Sequence, residues 1–286
     1  MSEPLIRSIS ETAGWVAYHR GTESQRPDSI FRDPYAYLLA GERGALIGRE
    51  LREIAWAVAV RTYLFDHAIR ELLSRKPIGM VVNLGAGLDS RPYRLELSDL
   101  LPWIEIDLPG IIDLKRHILR DEKPHCQLEA IAVNLADEER RRSLFSELNQ
   151  RYQHTLILSE GLLLYLDEDR VTSLAADLHA QPHFGYWLVE VVPPMALVWM
   201  KMNPKWRHHL GAANLPMLFA PFDWRKFYRE RGWEPVEFQD LAQTARKLNR
   251  EPAILKLLRS TGELFYGWGQ IQTRLWESGV ALLRRA

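Results

Sequence analysis

The sequence has one cysteine, no excess of either charge and no long hydrophobic run. A lone Cys126 excludes an internal disulfide framework and is typical of a reducing compartment. Lysine plus arginine and aspartate plus glutamate both number 37, which argues against a nucleic-acid or anionic-membrane partner. The longest apolar stretch, residues 186–200, is interrupted by Glu190 and two prolines and is too short to span a bilayer. With no apolar signal segment at the N-terminus, we expect a cytoplasmic protein.

Two further absences argue against a metal site and against a repeat or low-complexity architecture. Histidine, cysteine and aspartate do not recur at the spacing of a metal site, so no metal is predicted. The sequence also shows no internal repeat and no low-complexity tract. A chain of 286 residues suits one α/β domain with additions, or at most two small domains.

Strand and helix patterns alternate from residue 79 onward. Residues 1–75 are predicted to be helical, with a short helix between Asp33-Pro34 and Gly41 and a longer one from Ile47 to Leu72. Apolar runs predict strands at 79–84, 102–107, 127–133, 155–159, 185–192, 233–239 and 279–284. Repeated βα units predict a mostly parallel sheet with helices on both faces. In such a sheet, ligands bind outside the carboxyl ends of the strands.

A glycine turn follows the first predicted strand. Gly85 and Gly87 come directly after the apolar run 80–84, and an amphipathic segment follows them. This arrangement lets a ligand lie against bare backbone with N–H groups directed at it. Nucleotide-bearing hydride carriers and S-adenosylmethionine both use such turns. A dinucleotide-binding fingerprint requires a third glycine where this chain has Ser90. The negative charge of the nearby Asp89 would also repel a pyrophosphate.

Polar side chains stand at the ends of the next predicted strands. Asp107 lies about 20 residues after Gly85, where an acid reaches the two hydroxyls of an adenosine ribose. Asn134 ends the third strand, where an amide can read an adenine edge, and Glu160-Gly161 ends the fourth. Each has an ordinary alternative, since Asp107 could cap the next helix and Glu160 could pair with a lysine. Because all four strand ends carry such groups, we interpret them as one ligand site.

Arg61 lies on or beside the apolar stripe of the longer helix. Arginine is seldom buried there unless an anionic group meets it. Two readings stay open: an ion pair with a core carboxylate such as Asp66 or Glu105, or contact with a ligand carboxylate. S-adenosylmethionine needs an acid for its ribose, a carboxylate for its amino group and an arginine for its carboxylate, and this chain supplies all three types.

Several segments resemble the leucine carboxyl methyltransferase-like family, in particular its bacterial polyketide O-methyltransferase branch. The most specific are residues 83–95 (NLGAGLDSRPYRL), residues 105–109 (EIDLP) with Lys115, and residues 159–166 (SEGLLLYL). Shorter matches occur at residues 12–13, 18–20, 23–28, 31–34, 40–41 and 61–62. Their order and spacing agree with the family over most of the chain.

The resemblance implies a class I S-adenosylmethionine-dependent O-methyltransferase. Its fold would be a Rossmann-like, seven-stranded, mostly parallel sheet with helices on both faces and an antiparallel last strand. The implied cofactor-binding residues are Arg61 for the carboxylate, Gly85 beside the methionine part, Asp107 for the ribose, Glu160 near the amino end, and their neighbours Ala86, Gly87, Leu108, Asn134, Leu135 and Gly161. Family members usually carry aspartate at Asn134, so we expect a weaker or reorganised adenine contact.

The resemblance also implies how one domain, residues 1–286, is divided. Residues 1–75 form an N-terminal helical lid, 76–192 the cofactor-binding core, 193–225 a substrate-side insertion, and 226–286 the C-terminal part of the sheet. The insertion is rich in large apolar residues: Met195, Trp199, Met200, Met202, Trp206, Met217, Phe219, Phe222 and Trp224. We expect most of them to form the core of a helical layer that also walls a pocket for a small hydrophobic acceptor.

The acceptor atom is left open between two chemistries. A carboxylate, as in an aromatic or polyketide-like acid, needs no general base and is favoured, whereas a phenol or alcohol would need one. Candidate bases by chemical type alone are Tyr18, His19, Tyr93, His183, His208 and His209, and none is assigned. Alternative functions are a protein C-terminal carboxyl methyltransferase, a non-catalytic S-adenosylmethionine-binding module and a nicotinamide-dependent oxidoreductase. The oligomeric state is not predicted.

Overall fold

A computed structural model describes residues 9–206, 217–253, 256 and 276–286. Seven strands form one sheet, and each predicted strand is confirmed with an error of at most one residue at either end. The strands are β1 (Met80–Leu84), β2 (Pro102–Asp107), β3 (Gln127–Ala132), β4 (Thr155–Ser159), β5 (Phe184–Val191), β6 (Trp233–Asp240) and β7 (Gly279–Arg285).

The sheet has the strand order β3-β2-β1-β4-β5-β7-β6. The first five strands in that order pair in parallel, and β7 lies antiparallel between β5 and β6. The order reverses direction at β1 and β4, so the carboxyl ends of these two strands flank the switch point where open α/β sheets bind ligands. The predicted sheet with one reversed last strand is confirmed.

Ten helices over the described residues cover the sheet. They are α1 (Ile9–Ser24), α2 (Ala36–Glu50), α3 (Ala55–Arg75), α4 (Arg91–Arg94), α5 (Pro109–Ile118), α6 (Glu138–Arg151), α7 (Glu168–His179), α8 (Pro194–Met202), α9 (Trp224–Arg229) and α10 (Leu241–Lys247), with 3₁₀ turns at Arg52–Ile54 and Leu163–Tyr165. None of the helices in these ranges is long and apolar enough to cross a membrane.

Two apolar cores lie on opposite faces of the sheet. One packs α6, α7 and α9 on the sheet through residues such as Phe145 and Leu174, with Trp187 and Trp233 fully buried. The other packs α3 and α10 on the opposite face, with Phe65 at its centre. Adjacent side chains of a strand point to opposite faces, so β5 sends Trp187 to one core and Leu188 to the other.

The helical N-terminus differs from prediction in two places. The short helix predicted between Asp33-Pro34 and Gly41 is the first part of α2, which begins at Ala36. Gly41, with φ +58°, interrupts α2 but does not end it, although the sequence predicted an end there. The single helix predicted from Ile47 to Leu72 is wrong, because the chain leaves helical geometry at Leu51 (φ −99°, ψ +27°) before α3 begins. No proline or glycine marks this break. Leu51 is fully buried in an apolar cluster, so tertiary packing holds the turn.

Helices α1 and α2 pack closely on each other. A Cβ added to Gly44 would lie 2.6 Å from the backbone of Gly14, so only glycine permits this approach. Arg20 of α1 connects these two helices to the rest of the chain. Its Nε donates to Asp33 Oδ2 at 2.8 Å, and its Nη2 donates to the Leu88 carbonyl at 2.6 Å. These contacts hold α1 against the loop that follows β1.

The apolar residues predicted for the insertion divide into two groups. Trp206, Met217, Phe219 and Trp224 are buried, as expected for the core of a helical layer. Trp199, Met202 and Phe222 are exposed by 41%, 74% and 48%, which was not expected for that layer. The division of the chain into lid, core, insertion and C-terminal part stays a prediction.

Candidate functional site

The turn after β1 is hydrogen-bonded to the end of β2. Gly85 and Gly87 have φ values of +62° and +52°, a conformation that favours glycine. The N–H groups of Gly85 and Ala86 both donate to the Ile106 carbonyl, at 2.8 and 3.2 Å. A Cβ on Gly85 would lie 2.9 Å from Leu162 Cδ1, so a side chain there would require Leu162 to move.

Asp107 is fixed at the end of β2 by two backbone groups. Its Oδ2 accepts the Gly87 N–H at 2.7 Å and its Oδ1 accepts the Leu108 N–H at 2.7 Å. The alternative, that Asp107 caps the next helix, is not observed, because no side chain caps α5 at its start. Burial raises the pKa of Asp107, and the two N–H groups oppose this shift. Each carboxylate oxygen keeps a lone pair, so the group can still accept two hydroxyls.

Arg61 contacts two carboxylates at the ends of β4 and β5. Its Nε donates to Glu160 Oε1 at 2.9 Å, and its Nη1 lies 3.0 Å from Glu190 Oε1. Glu190 Oε2 also accepts the Gly161 N–H at 2.9 Å. Among the described residues, Nη2 of Arg61 has no hydrogen-bond partner, which leaves one donor group for a ligand.

The ion-pair partners predicted for Arg61 are wrong. Asp66 follows Arg61 by five positions, which places the two side chains about 140° apart around α3. Asp66 instead binds Arg91 and Arg94, at 2.7 and 2.6 Å. Glu105 binds the Lys115 ammonium at 2.6 Å, and both side chains are buried.

Two site residues, Glu190 and Arg91, were missed by the sequence analysis. Arg91 Nη1 lies 2.8 Å from Glu160 Oε2 and also contacts Asp89 at 2.9 Å. Glu160 therefore pairs with two arginines and not with a lysine. A signal for Glu190 was present, because it is the only charged residue in the apolar run 186–200. For Arg91 the only signal was its position at the start of α4, directly after the glycine turn.

Asn134 lies at the outer edge of the sheet, just after β3. Its Oδ1 accepts the Ala136 N–H at 3.0 Å and forms a local turn, and the side chain is exposed. The backbone carbonyl of the next residue, Leu135, accepts from Arg141 at 2.8 Å. One lone pair of Oδ1 stays open to an adenine amino group, so this position permits the predicted contact.

The candidate bases are scattered. His183 precedes β5 at the edge of the sheet opposite to Glu160, because its carbonyl accepts from Thr155 at the start of β4. Tyr93 packs against Tyr35, with ring centroids 5.9 Å apart, and Tyr18 packs against Tyr37 at 5.7 Å. His19 is buried beside Trp15. His208 and His209 lie outside the described residues, and no group of three metal-ligating side chains occurs within the described ranges.

The residues at this rim fit S-adenosylmethionine in their donor and acceptor types. Strands β2, β1 and β4 are neighbours, so Asp107, the glycine turn and Glu160 stand side by side along the sheet edge. A fixed carboxylate, a bare backbone turn and an arginine with one donor unpartnered within the described ranges are the groups that ribose, methionine backbone and carboxylate require. This fold and rim together define a class I, Rossmann-like methyltransferase architecture.

Comparison with solved structures supports the same architecture. A DUF574-family protein from Streptomyces avermitilis superposes with a TM-score of 0.60 at 15% sequence identity, covering 96% of this chain and 97% of that one. At this low identity the likeness shows the fold alone.

The sequence comparisons establish the family. The leucine carboxyl methyltransferase family model matches residues 13–179, and the chain belongs to this family. A Streptomyces coelicolor protein named as an S-adenosyl-L-methionine-dependent methyltransferase is 33% identical over 187 residues, which are 61% of this chain and 65% of that relative. A Mycobacterium sp. (strain KMS) protein of the same name is 30% identical over 257 residues, or 80% and 84% of the two chains. The chain spans just under two thirds, 65%, of the length of the Streptomyces coelicolor relative. Membership of the family agrees with the predicted cofactor and enzyme class.

Proposed function

We propose that this chain is an S-adenosylmethionine-dependent O-methyltransferase that acts on a small hydrophobic acceptor. The observation that carries the proposal is the juxtaposition of Asp107 on the glycine turn with the Arg61–Glu160–Glu190 cluster on neighbouring strand ends. These groups complement the two ends of one cofactor, and the chain belongs to a methyltransferase family.

Each polar residue of the rim has a role in this proposal. Arg61 holds the cofactor carboxylate through Nη2, Glu160 and Glu190 attract its amino group, and Asp107 accepts from the ribose hydroxyls. Gly85, Ala86, Gly87 and Gly161 present bare backbone, while Leu108, Asn134 and Leu135 border the adenine. The bound cofactor supplies an electrophilic methyl group on a sulfonium. Glu160 and Glu190 add the negative charge that favours such a cation.

The acceptor side is formed by an apolar cluster next to the rim. We call it the lid cluster, and its buried members are Trp15, Ile47, Leu51, Val58, Leu164, Leu197, Trp206 and Met217. Leu164 follows Glu160 by four positions, so the cluster lies above the end of β4. Its large aromatic and flexible thioether side chains suit a planar apolar molecule of the aromatic or polyketide-like kind.

Methyl transfer from a sulfonium needs alignment more than acid–base chemistry. Holding the acceptor oxygen in line with the methyl group can supply effective molarities of about 10⁵–10⁸ M. A carboxylate, the acceptor favoured from the sequence, would react without a base. A hydroxyl would require a group that takes its proton.

The test combines binding and product chemistry. Titration calorimetry should show binding of S-adenosylhomocysteine to the full chain and none of NAD(P), which separates the proposal from an oxidoreductase. Methyl-labelled S-adenosylmethionine and a small-molecule extract of the source cells should then give a labelled product. Release of the label as methanol by mild alkali would identify a methyl ester, and alkali-stable label an ether.

Two outcomes would contradict the proposal. Absence of S-adenosylhomocysteine binding would reject the cofactor site. Binding without any labelled small molecule, but with label transferred to a peptide carboxyl terminus, would favour the protein methyltransferase of the same family.

A further inference from the structure

Three ring nitrogens in and beside the lid cluster are buried without a hydrogen-bond partner among the described residues. They are Trp15 Nε1, His19 Nε2 and Trp206 Nε1, on side chains that are 5%, 2% and 1% exposed. The rings are in contact, because the His19 and Trp206 centroids lie 5.7 and 6.0 Å from that of Trp15. Leaving such a buried group unpaired destabilises the folded chain. Three in one cluster point to a ligand that pairs them.

The tautomer of His19 follows from its hydrogen bonding. The ring bonds to the Leu51 backbone, and because Nε2 has no partner, Nδ1 must be the donor to that carbonyl. Burial lowers the pKa of His19 to about 4, and the bond to Leu51 opposes this shift only partly. Nε2 of the neutral ring therefore carries a lone pair. The cluster offers two N–H donors and one acceptor.

Trp15 and His19 lie on the face of α1 that also contacts the cofactor end of the sheet through Thr12. Thr12, Trp15 and His19 are spaced three and four residues apart, so they lie along one face of α1. Thr12 is hydrogen-bonded to the side chain of Tyr165, which lies close enough to Arg61 and Glu190 to interact with their charges. The same face of α1 thus runs from the methyl-donor end into the lid cluster.

We propose that Trp15, His19 and Trp206 bind the methyl acceptor, and that this acceptor is a flat, uncharged, apolar molecule bearing both a hydroxyl and a carbonyl oxygen. The hydroxyl donates to His19 Nε2, and the carbonyl accepts from the indole N–H groups of Trp15 and Trp206. An ionised carboxylate has no proton to donate to Nε2 and is disfavoured, in contrast to the expectation from the sequence. This inference rests on the proposed methyltransferase function and specifies its substrate class.

Three probes of equal ring size test the substrate class. They are a naphthol with an acetyl group on its other ring (acetylnaphthol), acetylnaphthalene, which lacks the hydroxyl, and naphthoic acid, which is ionised. Calorimetric titration into the full chain saturated with S-adenosylhomocysteine should give the tightest binding for acetylnaphthol. Naphthoic acid should bind more weakly than acetylnaphthalene.

Variants that keep an aromatic ring but remove one polar atom test the residues. Trp15→Phe and Trp206→Phe should each weaken acetylnaphthol and acetylnaphthalene binding about three- to tenfold, the loss of one hydrogen bond. His19→Phe should weaken only acetylnaphthol. Trp103→Phe is the matched control, because Trp103 is a fully buried tryptophan with an unpartnered Nε1 in the core that contains Phe65. It should leave all three affinities unchanged.

The results separate this inference from the proposed function. If S-adenosylhomocysteine binds but no probe does, if naphthoic acid binds best, or if the three variants behave like Trp103→Phe, the acceptor assignment is wrong. If S-adenosylhomocysteine itself fails to bind, the proposed function fails first. Unchanged cofactor affinity in each variant shows that it has folded.

Discussion

At the scale of single residues, Arg61 and Asp107 occupy opposite ends of the proposed cofactor site. Arg61→Ala removes the only cation assigned to the cofactor carboxylate, and Asp107→Ala removes the acceptor for the ribose. Each should lower S-adenosylhomocysteine affinity at least tenfold, about 1.4 kcal/mol or more, measured by titration calorimetry. Arg120→Ala and Asp121→Ala are controls of the same chemistry, because this pair is 66% and 84% exposed. Unchanged affinity in both site variants would place the site elsewhere.

His19 gives a second prediction at this scale, for stability against pH. Its pKa is about 4 in the folded chain because of burial, against 6.5 when exposed. The unfolded chain therefore takes up the proton first, so stability is full above about pH 6.5 and falls as the pH drops toward 4. Relative to His19→Phe, which cannot titrate there, the wild type should lose on the order of 1 kcal/mol between about pH 6.5 and about pH 5 in urea unfolding. Parallel curves for both proteins would contradict a buried neutral His19.

At the scale of the elements, the turn after β1 depends on both backbone conformation and space. Gly85→Ala meets a positive φ and a contact with Leu162 at 2.9 Å, whereas Gly41→Ala meets a positive φ with nothing within 4 Å. Gly41→Ala should cost about 1–2 kcal/mol of unfolding free energy, and Gly85→Ala at least about 1 kcal/mol more. Gly110→Ala on α5 has neither feature and should be close to neutral. If chemical denaturation showed that Gly85→Ala and Gly41→Ala lose the same unfolding free energy, Leu162 would move away from the added methyl group at no cost.

The buried ion network under α4 gives a second prediction for the elements. Asp66 is 1% exposed and binds both Arg91 and Arg94, so it holds α4 and the glycine turn against α3. Asp66→Asn removes the charge that compensates two buried guanidinium groups and should cost about 3 kcal/mol or more in denaturant unfolding. Asp121→Asn, in an exposed pair, should change stability by less than about 0.5 kcal/mol. A loss at Asp66 as small as that at Asp121 would mean that the network rearranges.

The elements also show which parts of the fold can be predicted from sequence. Buried parallel strands such as β1 and β4 are continuous apolar runs, which is why their positions were found within one residue. An apolar run does not show that β7 is antiparallel or that it lies between β5 and β6. The family resemblance implied its antiparallel direction, and its place between those two strands was not predicted. The break at Leu51 was missed because no local breaker causes it. It depends on contacts with residues distant in sequence.

In the candidate site too, residues next to strand ends could be predicted from the sequence, whereas contacts between distant residues could not. Asp107, Glu160 and the glycines follow strands, so the rule for ligands at strand ends brought them together. Arg61 was identified as a buried cation, but its partner was not, because helix α3 can be placed against several carboxylates before the tertiary structure is known. Glu190 lies inside a strand near its end and was treated as an interruption of an apolar run.

At the scale of the whole molecule, buried ion pairs join the N-terminal helices to the rest of the chain. Asp33 accepts from Arg20 at 2.8 Å and from Ser90, beside the glycine turn, at 2.7 Å. Arg250, in the segment after α10, lies 2.8 Å from Glu23 at the end of α1. Helix α1 is therefore anchored to the loop that follows β1 at one place and to the segment after α10 at another.

This anchoring predicts that the proposed lid and core unfold together and respond together to the cofactor. Calorimetric melting should show one transition, and hydrogen exchange should protect α1 and β1 to a similar degree. A ligand that binds only the folded state raises the free energy of unfolding by RT ln(1 + [L]/Kd). S-adenosylhomocysteine at about 100 times its Kd should therefore add about 2.7 kcal/mol to the unfolding free energy of both the proposed lid and the core. Under the same conditions Arg61→Ala should show little of this gain, whereas Arg120→Ala should show all of it. An early transition confined to α1 and α2, insensitive to S-adenosylhomocysteine, would instead make the N-terminal helices a separately melting unit whose packing contributes nothing to cofactor binding.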